Sequence, residues 1–319
     1  MIVRWGPGAV DEVLGELELT RPYLLASPRH ADLPRHEGRW SALPTDDIAA
    51  VAADAAGADS LVALGGGSAI DTGKAVSAET GLPLVSVPTT YSGAEWTAFY
   101  GIRDPGRRQR GGGAGAHLGG IAYEPERTLD LPRAETVGTA LNALAHCAEA
   151  LYVQGRNAAA DEHALAGARL LGRWLPEVVE RPRDLEARTE LLRGACHAGA
   201  TLAGSMLALG HALAQALGGR YGLPHGAMNA LCLPPALRFN AEVAPEAVAR
   251  LAEALGTKDA AARVEELARL GGFERLRDFG VPAEELADVA AAAVERPGAK
   301  ANPRAATAAE AEALLRSIW

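Results

Sequence analysis

Three histidines are candidates for chemistry because they lie among alanine and leucine residues or beside a glycine. His146 lies in NALAHCAEALY, four residues after Asn142, while His211 lies in GHALAQALGG and His225 in LPHGAMN. Residues four apart share one face of a helix, so Asn142 and His146 can act on the same ligand. Histidine is both a common metal ligand and a common proton donor near neutral pH. The residues alone leave two alternatives open, a metal site and a metal-free polar pocket.

A glycine-rich segment is a candidate phosphate-binding turn. Gly65, Gly66, Gly67 and Ser68 separate a predicted buried strand from a predicted helix. Glycines let a ligand approach the backbone, and a helix N-terminus offers free N–H groups and partial positive charge, so a pyrophosphate fits this environment. An ordinary tight turn would have the same spacing, and the GxGxxG fingerprint is absent.

Residues close to this turn extend the predicted cofactor site. Asp71 and Lys74 lie one turn apart on the following helix, either as a surface pair or as a pair that orients the loop and the cofactor. Thr89 and Thr90 follow the next predicted strand, where their hydroxyls can bind a cofactor or simply cap a turn. We expect Asp71, Thr89 and Thr90 to contact the cofactor together with the glycine turn.

Alternating strands and helices position these groups in the first part of the chain. The predicted strands cover 23–26, 60–64 and 84–88, and the predicted helices cover 46–57 and 69–79. This alternation indicates a parallel sheet with its ligand at the carboxyl ends of the strands. Apolar residues then recur three and four apart over 134–180, 185–217 and 243–316, which indicates helices. We therefore predict an α/β, Rossmann-like domain over 1–133 and an all-helical domain over 134–319.

The segment 103–113, RDPGRRQRGGG, combines glycine, proline and positive charge, so we predict a loop. It is either a solvated hairpin tip or a basic lid that contacts an anionic substrate.

Composition excludes several classes of protein. The chain has 319 residues and a net charge of −9, which disfavours nucleic acid as a partner. Its three cysteines are far apart in sequence, which is typical of a reducing compartment. No apolar run is long enough to predict a membrane span or a signal peptide. We expect a cytoplasmic protein.

Taken in order, five motifs resemble those of the group III, iron-containing alcohol dehydrogenase superfamily. They are GGGSAIDTGK, PTTYSGAE, NALAHCAEALY, GHALAQALGG and LPHGAMN. The sequence is most similar to the maleylacetate reductase branch, because it has the short tyrosine-containing loop at Tyr91 and because Asn142 occupies the position where metal-dependent members have aspartate. It departs from many members at Gln215, where they have a second histidine.

The resemblance implies an enzyme of aromatic compound degradation that transfers hydride from NADH or NADPH to maleylacetate, or a related unsaturated keto acid, and gives 3-oxoadipate. It implies a homodimer with a dicarboxylate or keto-acid substrate and without a metal, in which His146, His211 and His225 stabilise the developing oxyanion while Tyr91 and Asn142 orient the substrate. Arg108, Arg110 and Arg238 are candidates to bind its carboxylates.

Two other functions stay open. A metal-dependent alcohol or aldehyde dehydrogenase would bind iron or zinc through Asn142, His146, His211 and His225, although the neutral amide is a poorer ligand than a carboxylate. A cofactor-binding relative without catalysis is the second.

Ser27 lies where an acidic residue would favour NADH, so we also expect NADPH to be accepted, with help from Arg29.

Overall fold

A computed structural model describes every residue of the chain except 31, 32 and 34. The strands among the described residues are β1 (Ile2–Trp5), β2 (Pro22–Ala26), β3 (Gly38–Trp40), β4 (Ser60–Gly65), β5 (Leu84–Pro88), β6 (Tyr100–Arg103), β7 (Gln109–Gly113) and β8 (Leu118–Tyr123). The helices are α1 (Ala9–Glu16), α2 (Ile48–Asp54), α3 (Gly67–Thr80), α4 (Arg133–Ala150), α5 (Ala158–Glu180), α6 (Leu185–Ala203), α7 (Leu209–Tyr221), α8 (His225–Ala241), α9 (Pro245–Ala254), α10 (Ala260–Arg269), α11 (Leu286–Val294), α12 (Pro297–Lys300) and α13 (Ala308–Ser317). Among the described segments, no helix is both long enough and apolar enough to cross a membrane.

The chain divides into two compact units. The first comprises Met1–Thr90 and Ala94–Asp130, and the second comprises Tyr91–Gly93 and Leu131–Trp319. The division at Asp130 lies three residues before the predicted boundary. That one domain binds the cofactor and the other carries catalysis stays a prediction.

The first unit contains a six-stranded parallel sheet in the order β1-β8-β5-β4-β2-β3. The predicted parallel α/β architecture is therefore confirmed, and the three predicted strands lie within β2, β4 and β5. The strands β1, β3 and β8 were not predicted, because the first two are short and carry arginine while β8 contains two adjacent glycines. At the carboxyl edge Gly65 pairs with Pro88, which places the glycine turn beside Thr89.

The sheet is buried on both faces, which explains its continuous apolar strands. Successive residues of β4 point to opposite faces, so Val62 and Leu64 pack in the cluster that includes Val10 and Val13 of α1. Leu61 and Ala63 pack on the other face against α2 and α3. A strand with this burial positions its last residue, Gly65, at the edge of a rigid layer.

The basic segment 103–113 corrects the loop prediction in part. Its tip lies between β6 and β7, which pair in an antiparallel hairpin, so residues 109–113 are a strand and not a loop. The glycines of β7 hide its strand character but are required there, because a Cβ on Gly112 would lie 2.8 Å from the Tyr100 carbonyl oxygen. A Cβ on Gly113 would lie 2.7 Å from the Tyr100 hydroxyl.

The second unit is helical, as predicted, and α4 forms its buried centre. Nearly every residue of α4 from Thr136 onward is buried, which is typical of a helix packed on all sides. No helix was predicted for residues 218–242. In the structure, α8 covers most of this segment and includes Pro234 and Pro235. Those prolines are poor helix formers, and burial of α8 against α4 and α7 overrides their preference.

Close packing between α4 and α8 predicts a specific effect of Gly226→Ala. A Cβ on Gly226 would lie 2.5 Å from the carbonyl carbon and oxygen of Gly138, so the two helices would have to separate. We expect the free energy of unfolding to fall by about 1–3 kcal/mol in a denaturant titration. Gly15→Ala is the control, since Gly15 lies on the exposed side of α1 with no atom near its Cβ position, and this substitution should add about 0.5–1 kcal/mol. Equal effects of the two substitutions would contradict this packing.

Candidate active site

The three predicted histidines lie together in the second unit, on three different helices. The rings of His146 on α4 and His211 on α7 are stacked, with centroids 4.8 Å apart. The ring of His225, the first residue of α8, lies 6.0 Å from that of His211. His211 is buried and only 7% of His146 is exposed, whereas His225 is half-buried, so a ligand can reach the cluster from the His225 side.

A carboxylate to which the sequence analysis gave no role, Glu149, holds His211 in place. Its Oε2 accepts from the His211 Nδ1 at 2.7 Å and from the Ala208 backbone N–H at 2.6 Å. Its Oε1 accepts from the His211 backbone N–H at 3.0 Å. Glu149 therefore fixes the N-terminus of α7 and the ring of His211 at once. The available signal was its spacing, since Glu149 lies three residues after His146 on α4.

This contact determines which nitrogens remain for a ligand. A carboxylate only accepts, so the Nδ1 of His211 carries a proton and its Nε2 points away from Glu149. The Nε2 of His211 and the Nδ1 of His146 are both buried with no hydrogen-bond partner among the described residues. Burial, with His211 and His225 nearby, holds the pKa of His146 well below its ordinary value, so this ring is neutral at pH 7. Buried polar nitrogens without partners are unusual. A ligand oxygen can accept from the His146 Nδ1 when that nitrogen carries the proton, whereas the His211 Nε2 accepts as long as its proton lies on Nδ1.

Two asparagines connect the third histidine to the rest of the cluster. The Nδ2 of Asn229, one turn after His225 on α8, donates to the Asn142 Oδ1 at 2.6 Å and lies 3.1 Å from the His225 Nε2. The Asn142 Nδ2 donates to the Ser92 carbonyl oxygen at 3.2 Å. Because the Asn229 amide donates, the His225 Nε2 accepts, and its Nδ1 then carries the proton. Asn229 was missed because asparagine next to methionine and alanine carries no specific signal.

The arrangement of these donors does not match a metal centre. Within the part of the chain that the structure describes, no group of three or more His, Cys, Asp or Glu side chains could hold a metal ion. The Asn142 oxygen and the His225 Nε2 both face the Asn229 amide, and the carboxylate of Glu149 faces Nδ1 of His211 and the start of α7. A divalent ion at this place would have no anionic ligand.

Tyr91, which was expected to orient the substrate, belongs to the second unit. Its side chain is completely buried, its hydroxyl accepts from Arg188 at 3.1 Å, and its backbone N–H donates to Thr139 at 3.2 Å. Nearby Gly93 packs so closely on α6 that a Cβ would lie 3.0 Å from the Cα of Gly199. These contacts favour a structural role for Tyr91, and its predicted contact with the substrate stays a prediction.

The predicted cofactor turn is assembled within the first unit. The Thr89 N–H donates to the Gly65 carbonyl oxygen at 3.0 Å, and a Cβ on Gly66 would lie 2.7 Å from the Thr90 methyl group. No side chain caps the N-terminus of α3, which begins at Gly67 and continues with Ser68. The buried Thr89 hydroxyl has no partner among the described residues. Gly66 therefore permits a close approach of two loops and leaves a polar edge that suits a phosphate.

Asp71 and Lys74 face the hairpin and not the glycine turn. Lys74 is buried and donates to the Phe99 carbonyl oxygen at 2.8 Å, while Asp71 lies 3.3 Å from the Lys74 ammonium. The other oxygen of Asp71 accepts from the Gly101 N–H at 3.3 Å. Asp71 and Lys74 are therefore not a surface pair. They orient a loop by holding the start of β6 against α3. Contact of Asp71 with the cofactor stays a prediction.

Two of the three arginines expected to bind substrate are already in ion pairs. Arg110 contacts Asp104 at 2.5 Å, and Arg238 contacts Glu265 at 2.7 Å. Arg108 lies at the exposed tip of the hairpin, beside β7. All three side chains are exposed at the surface. Their predicted contact with substrate carboxylates stays a prediction.

Comparison with known proteins matches both parts of the chain to one family. The model of the Fe-containing alcohol dehydrogenase family, C-terminal, matches residues 136–319, and that of iron-containing alcohol dehydrogenase matches residues 42–116. A maleylacetate reductase from Burkholderia cepacia is 37% identical over 95% of this chain and 91% of its own length. One from Rhodococcus opacus is 36% identical over 97% of this chain and 83% of its own length. The crystal structure of maleylacetate reductase from Agrobacterium tumefaciens has a TM-score of 0.89 and 32% identity, covering 100% of this chain and 95% of that one.

The role of Glu149 can be tested by Glu149→Gln. Three N–H donors converge on its carboxylate, and the amide of glutamine offers one oxygen and one donor group, so at least one buried donor loses its partner. We expect the free energy of unfolding to fall by about 2–3 kcal/mol. Glu295→Gln, which removes an exposed ion pair with Lys300, should cost less than about 0.5 kcal/mol. The role of Glu149 is disproved if denaturant titration gives the same small change for both.

Proposed function

We propose that this chain, which belongs to the iron-containing alcohol dehydrogenase family, reduces the carbon–carbon double bond of maleylacetate or of a closely related unsaturated keto acid. The product from maleylacetate is 3-oxoadipate. The observation that carries the proposal is the stacked pair of His146 and His211, with a buried, unpartnered nitrogen on each ring. The similarity to several maleylacetate reductases supports the choice of substrate.

The reaction defines what the cluster must do. When bound, NADH or NADPH would supply a hydride to the carbon that lies β to the ketone, and the ketone would become an enolate as the double bond shifts. A proton then adds to the α carbon. The protein must stabilise negative charge on the former ketone oxygen, and preorganised hydrogen-bond donors in a dry site do this effectively.

Within the cluster, His225 is the best placed donor. Its Nε2 accepts from the Asn229 amide, so its Nδ1 carries the proton, and its ring is half-buried. We propose that this N–H donates to the enolate oxygen. His146 is neutral and can donate one further hydrogen bond. His211 offers its Nε2, which can donate only when the ring is protonated beside Glu149. Asn142 holds Asn229 and through it the orientation of His225.

Cofactor binding is proposed for the edge of the sheet in the first unit. The pyrophosphate would lie at Gly66, Gly67 and Ser68, where α3 begins without a side-chain cap. The Thr89 hydroxyl, which is buried without a partner among the described residues, would bind the cofactor beyond it. NADPH is expected to be accepted because Ser27, directly after β2, is not acidic.

We propose that the reaction is metal-independent. Two observations support this proposal: Asn229 already engages the Asn142 oxygen and the His225 Nε2, and among the described residues no group of three or more His, Cys, Asp or Glu side chains could hold a metal ion. A metal-dependent alcohol dehydrogenase is disfavoured for the same reason. A homodimer, a cytoplasmic location and a place in aromatic compound degradation stay predictions.

Metal independence predicts that chelation does not affect the enzyme. Elemental analysis of purified protein should find iron and zinc well below one equivalent, and dialysis against a chelator should leave turnover of maleylacetate unchanged. One equivalent of either metal, with activity lost on chelation and recovered when the metal is restored, would falsify this proposal.

For the oxyanion, we predict that His225→Ala lowers the turnover number about 10²-fold, because it removes one preorganised donor. His163→Ala is the matched control: His163 lies on the exposed side of α5 and contacts His197, so turnover should be essentially unchanged. Circular dichroism checks that both variants fold. A loss of only about threefold or less in His225→Ala would remove this residue from the site.

A further inference from the structure

The side chain of Arg296 lies along the face of α7 that carries His211. Its Nη1 is 3.5 Å from the Gln215 Oε1, and a Cβ on Gly219 would lie 3.6 Å from its Nη2. His211, Gln215 and Gly219 are spaced four residues apart, so they form one stripe on the helix. The guanidinium of Arg296 therefore lies between one and two helical turns from His211 along this stripe.

Arg296 is a cation that has no anion. Among the described residues no carboxylate lies within ion-pair distance of it, and its buried Nε has no hydrogen-bond partner. Burial alone lowers the pKa of this guanidinium, with no acidic group raising it. By contrast, Arg220 on α7 is paired with Glu285 at 2.7 Å. Arg110 and Arg238 are likewise paired with carboxylates. A partly buried guanidinium without an anion is costly unless a ligand provides one.

Two residues of this stripe, Gln215 and Gly219, lie at the surface of the helical unit. Every residue of α7 from Leu209 to Gly218 is buried except Gln215, which is half-buried. Gln215 is neutral and leaves the positive charge of Arg296 available. Gly219 has no side chain, so the guanidinium can lie flat against the helix.

The backbone around Arg296 is fixed relative to α7. Arg296 directly precedes α12, and a Cβ on Gly298 would lie 2.9 Å from the Ala208 carbonyl oxygen, at the start of α7. Ala208 is also the residue whose N–H donates to Glu149. The backbone beside Arg296 and the ring of His211 are thus both fixed at the start of α7, while the guanidinium lies further along the helix, beside Gln215 and Gly219.

We propose that Arg296 and Gln215 form a carboxylate-binding subsite that selects doubly charged substrates. The inference rests on the proposed function and names the group that recognises one carboxylate of the substrate. A guanidinium binds a carboxylate through two parallel N–H donors, and the Gln215 amide can turn to donate a further hydrogen bond. With one carboxylate on Arg296, the rest of a six-carbon keto acid extends toward His211 and its neighbours. Arg296 is then a specificity-determining residue that was not among the expected arginines.

The test compares Arg296→Met, Arg296→Lys and Gln215→Glu with the wild-type protein. Gln215→Glu gives Arg296 an internal carboxylate partner, so it should block the subsite while keeping the size of the side chain. Arg220→Gln, which removes a surface pair on the same helix, is the control. Two quantities are measured: the Kd of adipate, a saturated six-carbon dicarboxylate, by calorimetry, and kcat/KM for maleylacetate and for the uncharged enone with the same carbon skeleton.

The subsite predicts that Arg296→Met and Gln215→Glu raise the Kd of adipate about 10- to 100-fold and lower kcat/KM for maleylacetate by a similar factor. Reduction of the uncharged enone should be unaffected, and Arg296→Lys should retain part of the affinity for adipate. Unchanged adipate binding in both variants, or an equal loss for charged and uncharged substrates, would overturn the subsite. If the wild-type protein binds adipate through Arg296 but reduces no unsaturated keto acid, the subsite stands and the proposed function fails.

Discussion

The carboxylate of Glu149, buried at the start of α7, is the constraint on which the candidate site depends. It accepts two backbone N–H groups and the Nδ1–H of His211, so one side chain fixes a helix end and the ring that follows it. His211 in turn stacks on His146 and lies beside His225. Without this carboxylate, the backbone N–H groups of Ala208 and His211 and the Nδ1–H of His211 would have no acceptor. The start of α7 would then lose the hydrogen bonds that fix its position.

The same end of α7 connects the proposed chemistry with the proposed recognition of the substrate. Ala208 contacts Glu149 through its N–H, and its carbonyl oxygen lies against Gly298 of α12, beside Arg296. The histidine cluster and a guanidinium that has no carboxylate partner among the described residues therefore belong to one packed arrangement within the helical unit. In the first unit, Gly66 and Thr89 form a polar edge because β4 and β5 end side by side.

The sequence predicted the elements whose composition is unambiguous and missed those whose stability comes from packing. Buried strands such as β4 and alanine-rich helices such as α4 were visible from their apolar residues. The strand β7 was hidden by glycines that the ring of Tyr100 requires, and α8 was hidden by Pro234 and Pro235. Among the candidate site residues, the three histidines could be chosen from their apolar surroundings. Arg296 could not, because its lack of an anion depends on residues far away in sequence.

The state of His211 tests the account most directly. Nitrogen-15 NMR of histidine-labelled protein, assigned with a His211→Gln variant, reports which ring nitrogen carries a proton. The contact with Glu149 predicts a proton on the Nδ1 of His211, although isolated histidine prefers to carry it on Nε2, and predicts that Glu149→Leu, which leaves no acceptor, removes this signature. A His211 ring with its proton on Nε2 and a bare Nδ1 would contradict the account.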